Sequence, residues 1–144
     1  MRRKEPIELI IERIYSYSMH EVSVVADLIT AILKELEKYD VVSVKEVTLT
    51  VGKLTNLGTE QMEFAYDVMS KDSILNGSKL VIEEENIIVK CEDCGYKGPV
   101  NVMNIGEEAH FQVPILSCPV CGKAVTIIAG KSCCVKSIDI EEAC

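Results

Sequence analysis

The sequence predicts an α/β chain of the α+β kind: a small three-stranded sheet with two helices on one face, plus a cysteine-rich module inserted before the last strand. Three observations lead there. Apolar residues recur at helical spacing in some segments and alternate with polar residues in others, and four of the seven cysteines stand in two C-x-x-C pairs.

The main helix reads from about His20 to Tyr39, where Val22, Val25, Ile29, Ile32 and Leu36 form one stripe at i, i+3, i+7, i+10 and i+14. A shorter amphipathic helix is expected ahead of it over 7–17, through Ile7, Ile10, Ile11 and Ile14. In "EVTLTVG", Val47, Leu49 and Val51 alternate with Glu46, Thr48 and Thr50, which makes a strand with one wet face. "NLGTEQMEFAYDVMSKD" gives the next helix, with Thr59 as N-cap, Glu60 and Glu63 near the positive end, and Met62, Ala65 and Met69 inward. Asn76-Gly77 marks a turn before the strand "KLVIEE". The tail "KSIDIEE", with Ile138 and Ile140 on one side, is expected to return to the sheet as its third strand. A discontinuous main domain, 19–90 with 133–144, thus encloses a module at 91–132, and residues 1–18 form an extension.

Composition removes several classes of function. The 144 residues are 48% hydrophobic, with no tryptophan and two phenylalanines, so the core must be aliphatic. The net charge is -8, and from residue 91 onward four lysines face seven acids. That balance argues against a nucleic-acid partner, which wants a basic face. No apolar run approaches the ~20 residues of a membrane span, and "IELIIERIY" lacks a small-residue cleavage site. A cytoplasmic protein without a membrane partner is expected, its cysteines kept reduced for metal ligation.

"CEDCGYKG" and "CPVCGKA" match as C-x-x-C-G at an offset of 27 residues. Two intervening residues let both thiolates of a pair reach one ion, and the following glycine accepts a left-handed turn. Four sulfurs at ~2.3 Å in a tetrahedron suit Zn²⁺ and leave no open position. Cys91, Cys94, Cys118 and Cys121 therefore read as a structural zinc site in a zinc-ribbon-like four-cysteine module, with a hairpin or loop in the 23-residue spacer. The competing redox reading would need a C-x-x-C pair opening a helix after a strand, and neither pair does so. Cys133 and Cys134 read as strand-edge or core thiols, and Cys144 as a terminal bystander.

On local grounds His20 reads as a solvated residue at a helix start, with metal ligation as the sharper alternative. His110, in "EEAHFQVPIL", reads as a loop residue, or as a replacement for one cysteine on zinc.

Taken together, Met-His-Glu opening a helix, then "TLTVGKLTNLGTEQMEFAYDVM", C-x-x-C-G, C-P-x-C-G and "SIDIEE" resemble the HypA/HybF family, the nickel-insertion proteins of [NiFe]-hydrogenase and urease maturation. The resemblance spans residues 19 to 142. It implies a nickel metallochaperone with an α/β nickel domain and a separate four-cysteine zinc domain. It also implies as partners the GTPase that supplies nickel, the hydrogenase large subunit that receives it, and a second copy of the chain. Nickel ligation carries over onto His20, and onto the backbone nitrogen and carboxylate of Glu21. "AHFQVP" resembles a stretch of archaeal members whose histidine closes the nickel site, which makes His110 an extra candidate.

Ni²⁺ with nitrogen donors favours a square plane. A terminal amine, the next amide nitrogen and a histidine ring at position two make fused chelate rings around it. The family's site uses the amine of its starting methionine, yet the Met19 nitrogen here sits in a peptide bond. Two expectations result: a functional protein that begins at Met19, the favoured one, or nickel held by a weaker, altered set. Neither a nucleophile motif nor a glycine-rich phosphate loop is present, so no enzymatic activity is expected. A zinc-stabilised interaction adaptor without nickel transfer is the alternative.

Overall fold

The computed structural model of the chain describes residues 2–5, 21–105 and 111–143. The helix expected over 7–17, together with Met19, His20, His110 and Cys144, lies outside the described residues.

A first strand, β1 (Arg2–Glu5), is followed by helix α1 (Glu21–Leu36), strand β2 (Val41–Gly52), a short 3-10 turn (Lys53–Thr55), helix α2 (Thr59–Met69) and strand β3 (Lys79–Glu85). Five short strands come next: β4 (Ile88–Lys90), β5 (Lys97–Pro99), β6 (Val102–Ile105), β7 (Phe111–Pro114) and β8 (Thr126–Ala129). Strand β9 (Cys133–Glu142) closes the chain. The main sheet has the order β1-β9-β2-β3, so it holds four strands where the sequence predicts three. β2 and β3 run parallel across α2, while β9 pairs antiparallel with both β2 and β1. The extra strand, "RRKE", has no apolar residue, so hydrophobic alternation gives no sign of it. Backbone pairing on the β9 edge forms it, in a register that sets Arg2 opposite Glu141 and Lys4 opposite Asp139.

One face of this sheet is apolar and lies in a core shared with both helices. Val44, Val47, Leu49 and Val51 of β2 join Cys133, Val135, Ile138 and Ile140 of β9 under Val25, Leu28 and Ile32 of α1. Bulges interrupt the β2–β9 alternation, and two of them carry a lysine. Lys45 is the extra residue between the pairs Val44–Ile140 and Glu46–Asp139, and Lys136 is extra between Thr48–Ser137 and Leu49–Val135. Both bulges turn their lysine outward and restore the apolar phase beyond it. Lys45 Nζ then meets Glu141 at 3.0 Å, and Lys136 Nζ meets Glu83 at 2.7 Å.

Three side-chain expectations need correction. Val22 is 59% exposed, because the buried stripe of α1 runs through Val24, Val25, Leu28, Ile29, Ile32 and Leu36 and leaves Val22 facing a groove beside α2. Met69 is 37% exposed, and Tyr66 takes the inner place with Met62 and Ala65, its hydroxyl 2.6 Å from Ser78 Oγ. A phenol bonded in this way can bury its ring without stranding a polar atom. The N-cap of α2 is Gly58 rather than Thr59, and no side chain of its own caps it. The amide of Gly58 donates to Glu21 Oε1 at 2.9 Å, so the carboxylate that opens α1 also fastens the head of α2.

The second sheet, β5-β4-β8, and the β6-β7 hairpin share no strand with the first sheet. The two sheets meet at a pair of glycines. Gly130 has φ 88, donates its amide to Glu85 Oε1 at 2.6 Å, and accepts from the Leu54 amide at 2.9 Å. A Cβ on Gly52 would lie 2.2 Å from that same Gly130 oxygen. The obstacle is hydrogen-bonded backbone and cannot swing aside, so Gly52→Ala is expected to lower stability by about 1–3 kcal/mol or more. Urea unfolding of the variant beside wild type measures this, and an unchanged midpoint would show that the junction relaxes freely.

Candidate metal centre

The two C-x-x-C-G segments fold as copies of one knuckle. In the first, Cys91 N–H donates to Tyr96 O at 2.8 Å and Gly95 N–H to Cys91 O at 3.0 Å. In the second, Cys118 N–H donates to Lys123 O at 2.8 Å and Gly122 N–H to Cys118 O at 2.9 Å. The glycines take φ 78 and φ 75, the left-handed turn expected of them. Each loop thereby points its two sulfurs at the other loop.

The four sulfurs lie within 4.8 Å of one another, with Cys91 Sγ 3.6 Å from Cys121 Sγ and Cys94 Sγ 3.5 Å from Cys118 Sγ. Sulfurs placed ~2.3 Å from a common tetrahedral centre would be spaced by roughly 3.8 Å, so the cluster has the size a zinc ion needs. The first cysteine of each pair is buried and the second exposed. Desolvation opposes ionisation of Cys118, but the amides of Cys121 and Val120 and the neighbouring thiols outweigh it and hold this thiol below its ordinary value. Those amides lie 3.5 and 3.4 Å from its sulfur. Cys118 is thus the thiol that most readily gives the metal-binding thiolate, while Cys94 and Cys121 are shifted the other way in the metal-free cluster.

In the main domain, α1 and α2 begin side by side. Glu21 stands in the first turn of α1, one residue after His20, and its Oε1 is held by the Gly58 amide. Sequence reasoning misses this contact because 37 residues separate its partners. Beside it opens a groove lined by Glu21, Val22, Glu60, Gln61, Phe64 and Ala65. Among the described residues, no helix is long and apolar enough to cross a membrane.

Residues 19–140 match the family model described as hydrogenase/urease nickel incorporation, metallochaperone, hypA. The chain belongs to the HypA family. HypA relatives are matched over nearly their whole length. The hydrogenase maturation factor HypA of Methanothermobacter thermautotrophicus is 40% identical over 125 residues, covering 86% of this chain and 98% of that protein. The one from Methanosarcina barkeri is 33% identical over 129 residues, covering 85% and 96%. In fold, the chain is similar to the solution structure of the Ni metallochaperone HypA from Helicobacter pylori. There the TM-score is 0.60 at 22% identity, with 87% of this chain and 100% of that one covered. As a HypA protein the chain is a nickel metallochaperone of hydrogenase maturation, with nickel as its cargo and a four-thiol cluster suited to structural zinc. β1 lies outside the family match.

Cys133 plays a different part. It is fully buried in β9, and burial, with the charge of Cys134 second, pushes its thiol up to about 12. The protonated thiol is the form the fold favours. That contribution is whole below the ordinary thiol range near pH 9 and is lost as pH rises through about 12. Cys133 is therefore expected to resist iodoacetamide at pH 8 until the protein is unfolded. Peptide mass mapping checks this, and labelling in the native state would place Cys133 outside the core.

Proposed function

We propose that this chain takes up Ni²⁺ at Met19-His20-Glu21 and delivers it to the large subunit of a [NiFe]-hydrogenase during maturation. The observation that carries the reading is the separation of donor types. The four thiols converge on one another, while the Met-His-Glu sequence stands where the family match begins and its glutamate opens α1. Thiolates suit zinc, and imidazole with backbone nitrogen suits nickel in a square plane.

In this reading Cys91, Cys94, Cys118 and Cys121 would hold the structural zinc ion within residues 91–132. Residues 19–90 with 133–144 form the nickel domain, and 1–18 an extension. His20 supplies the principal nickel donor, and Glu21 adds its amide nitrogen and its carboxylate. Glu21 Oε1 accepts from the Gly58 amide at 2.9 Å, which fixes the carboxylate at the head of the two helices. In the sequence as written the Met19 nitrogen belongs to a peptide bond with Ser18, a poorer donor than a free amine. His110 completes the site when a partner docks. The partners are a nickel-handling GTPase, the hydrogenase large subunit and a second copy of the chain. The reading includes neither nucleic acid nor a membrane among the partners, in keeping with the net charge of -8. The work is transfer of an ion in the cytoplasm rather than catalysis, and any energy-using step belongs to the GTPase.

Calorimetric titration of the zinc-loaded protein with Ni²⁺ tests the proposal, paired with X-ray absorption at the nickel edge. One nickel per chain in a nitrogen and oxygen shell is expected. Sulfur in that shell would overturn the site, and no heat at all would leave the interaction adaptor in its place.

A further inference from the structure

The groove between the heads of α1 and α2 is open, about 550 Å³ in volume, and carries an apolar centre. Phe64, one of only two phenylalanines in the chain, is 72% exposed there, and Val22 is 59% exposed on the facing helix. Val68, one turn beyond Phe64 on the same helix, is 48% exposed. Folding alone gives no reason to leave a phenylalanine outside so aliphatic a core.

Among the described residues, the charges on the first turns of both helices are of one sign. Residues 21–33 and 59–70 contain Glu21, Asp27, Glu60, Glu63 and Asp67 and no lysine or arginine. The positive ends of both helices are already met by acids, Glu21 on α1 and Glu60 on α2, so the groove offers an anion nothing. A cationic visitor with an apolar residue to insert fits on both counts. The same charge disfavours an anionic lipid surface, and also a second copy of a chain whose own net charge is -8.

We propose that this groove is the docking site for a basic amphipathic segment of a partner protein, a helix whose apolar face seats on Val22 and Phe64 and whose lysines or arginines face the acidic rim. Glu21 directly follows His20, so such a segment docks at the lip of the nickel site; that consequence rests on the nickel reading, and the docking itself does not.

The test uses the full-length, zinc-loaded, nickel-free protein, so failure here and failure of nickel binding are told apart. A synthetic amphipathic helical peptide of leucine and lysine is titrated while backbone amide shifts are followed. The same pattern built from leucine and glutamate serves as control. Shifts are expected over residues 21–25 and 58–68, with binding weakened at least about tenfold by Phe64→Ser, by Glu60→Lys with Glu63→Lys, and by high salt. Phe64 is exposed, so its replacement should leave the melting temperature unchanged. Equal binding of the leucine–glutamate peptide, shifts centred on the β6-β7 hairpin instead, or indifference to both variants would each overturn the proposal.

Discussion

Replacing His20 with alanine is expected to abolish measurable nickel binding while zinc content and thermal stability stay at wild-type values. Without the imidazole, the remaining local donors are amide nitrogens, which keep their protons at neutral pH unless a stronger ligand anchors the ion, and the Glu21 carboxylate. One oxygen of that carboxylate is held by Gly58. A single carboxylate binds Ni²⁺ weakly, so the loss of affinity should exceed about a hundredfold, more than outer-shell changes cost at metal sites. Zinc is spared because its four thiols lie at residues 91 to 121, on other elements. Calorimetry with metal analysis by mass spectrometry decides the matter. Unchanged nickel stoichiometry and affinity in the variant would move the site elsewhere.

Removal of zinc should have the largest structural effect. Among the described residues between Ile87 and Ala129, only Ile87, Val89, Cys91 and Cys118 are buried apolar positions, and two of those are cysteines of the cluster. Val102, Met103, Ile105, Leu116 and Val120 are all exposed. A module with so little core depends on its metal, for which apparent binding energies of about 10–16 kcal/mol are typical. Chelation, or Cys118→Ser, is expected to erase amide protection in β4, β5 and β8. Protection in β2 and β9 should persist, because their core of Val47, Leu49, Ile138 and Ile140 contains no metal ligand. Hydrogen exchange measures both at once. Persistent protection of Ile88–Lys90 after zinc loss would show that the module stands on packing alone.

The parts of the fold that are legible in the sequence are those where one force acts alone. Val47, Leu49 and Val51 alternate because one face of β2 is buried, and the paired C-x-x-C-G segments declare their shape because thiolate geometry and left-handed glycines leave few options. Val22 and Met69 mislead because helical periodicity says which side is apolar, not where the neighbouring helix stops covering it. β1 is invisible because edge pairing needs only backbone. The bond from Gly58 to Glu21 joins residues that no local pattern connects. His20 and His110 emerge through resemblance rather than spacing, since a single imidazole beside a helix carries little information by itself.

The duplicated knuckles have an evolutionary corollary. Each loop positions its own two sulfurs, so for the four-thiol cluster the spacer between Cys94 and Cys118 has only to bring its ends together. Chain-closure cost grows slowly, by about 0.6 kcal/mol for each doubling of length. Insertions into the spacer that leave both knuckles intact should therefore be nearly silent for zinc affinity, which lets that stretch of chain change length without loosening the metal.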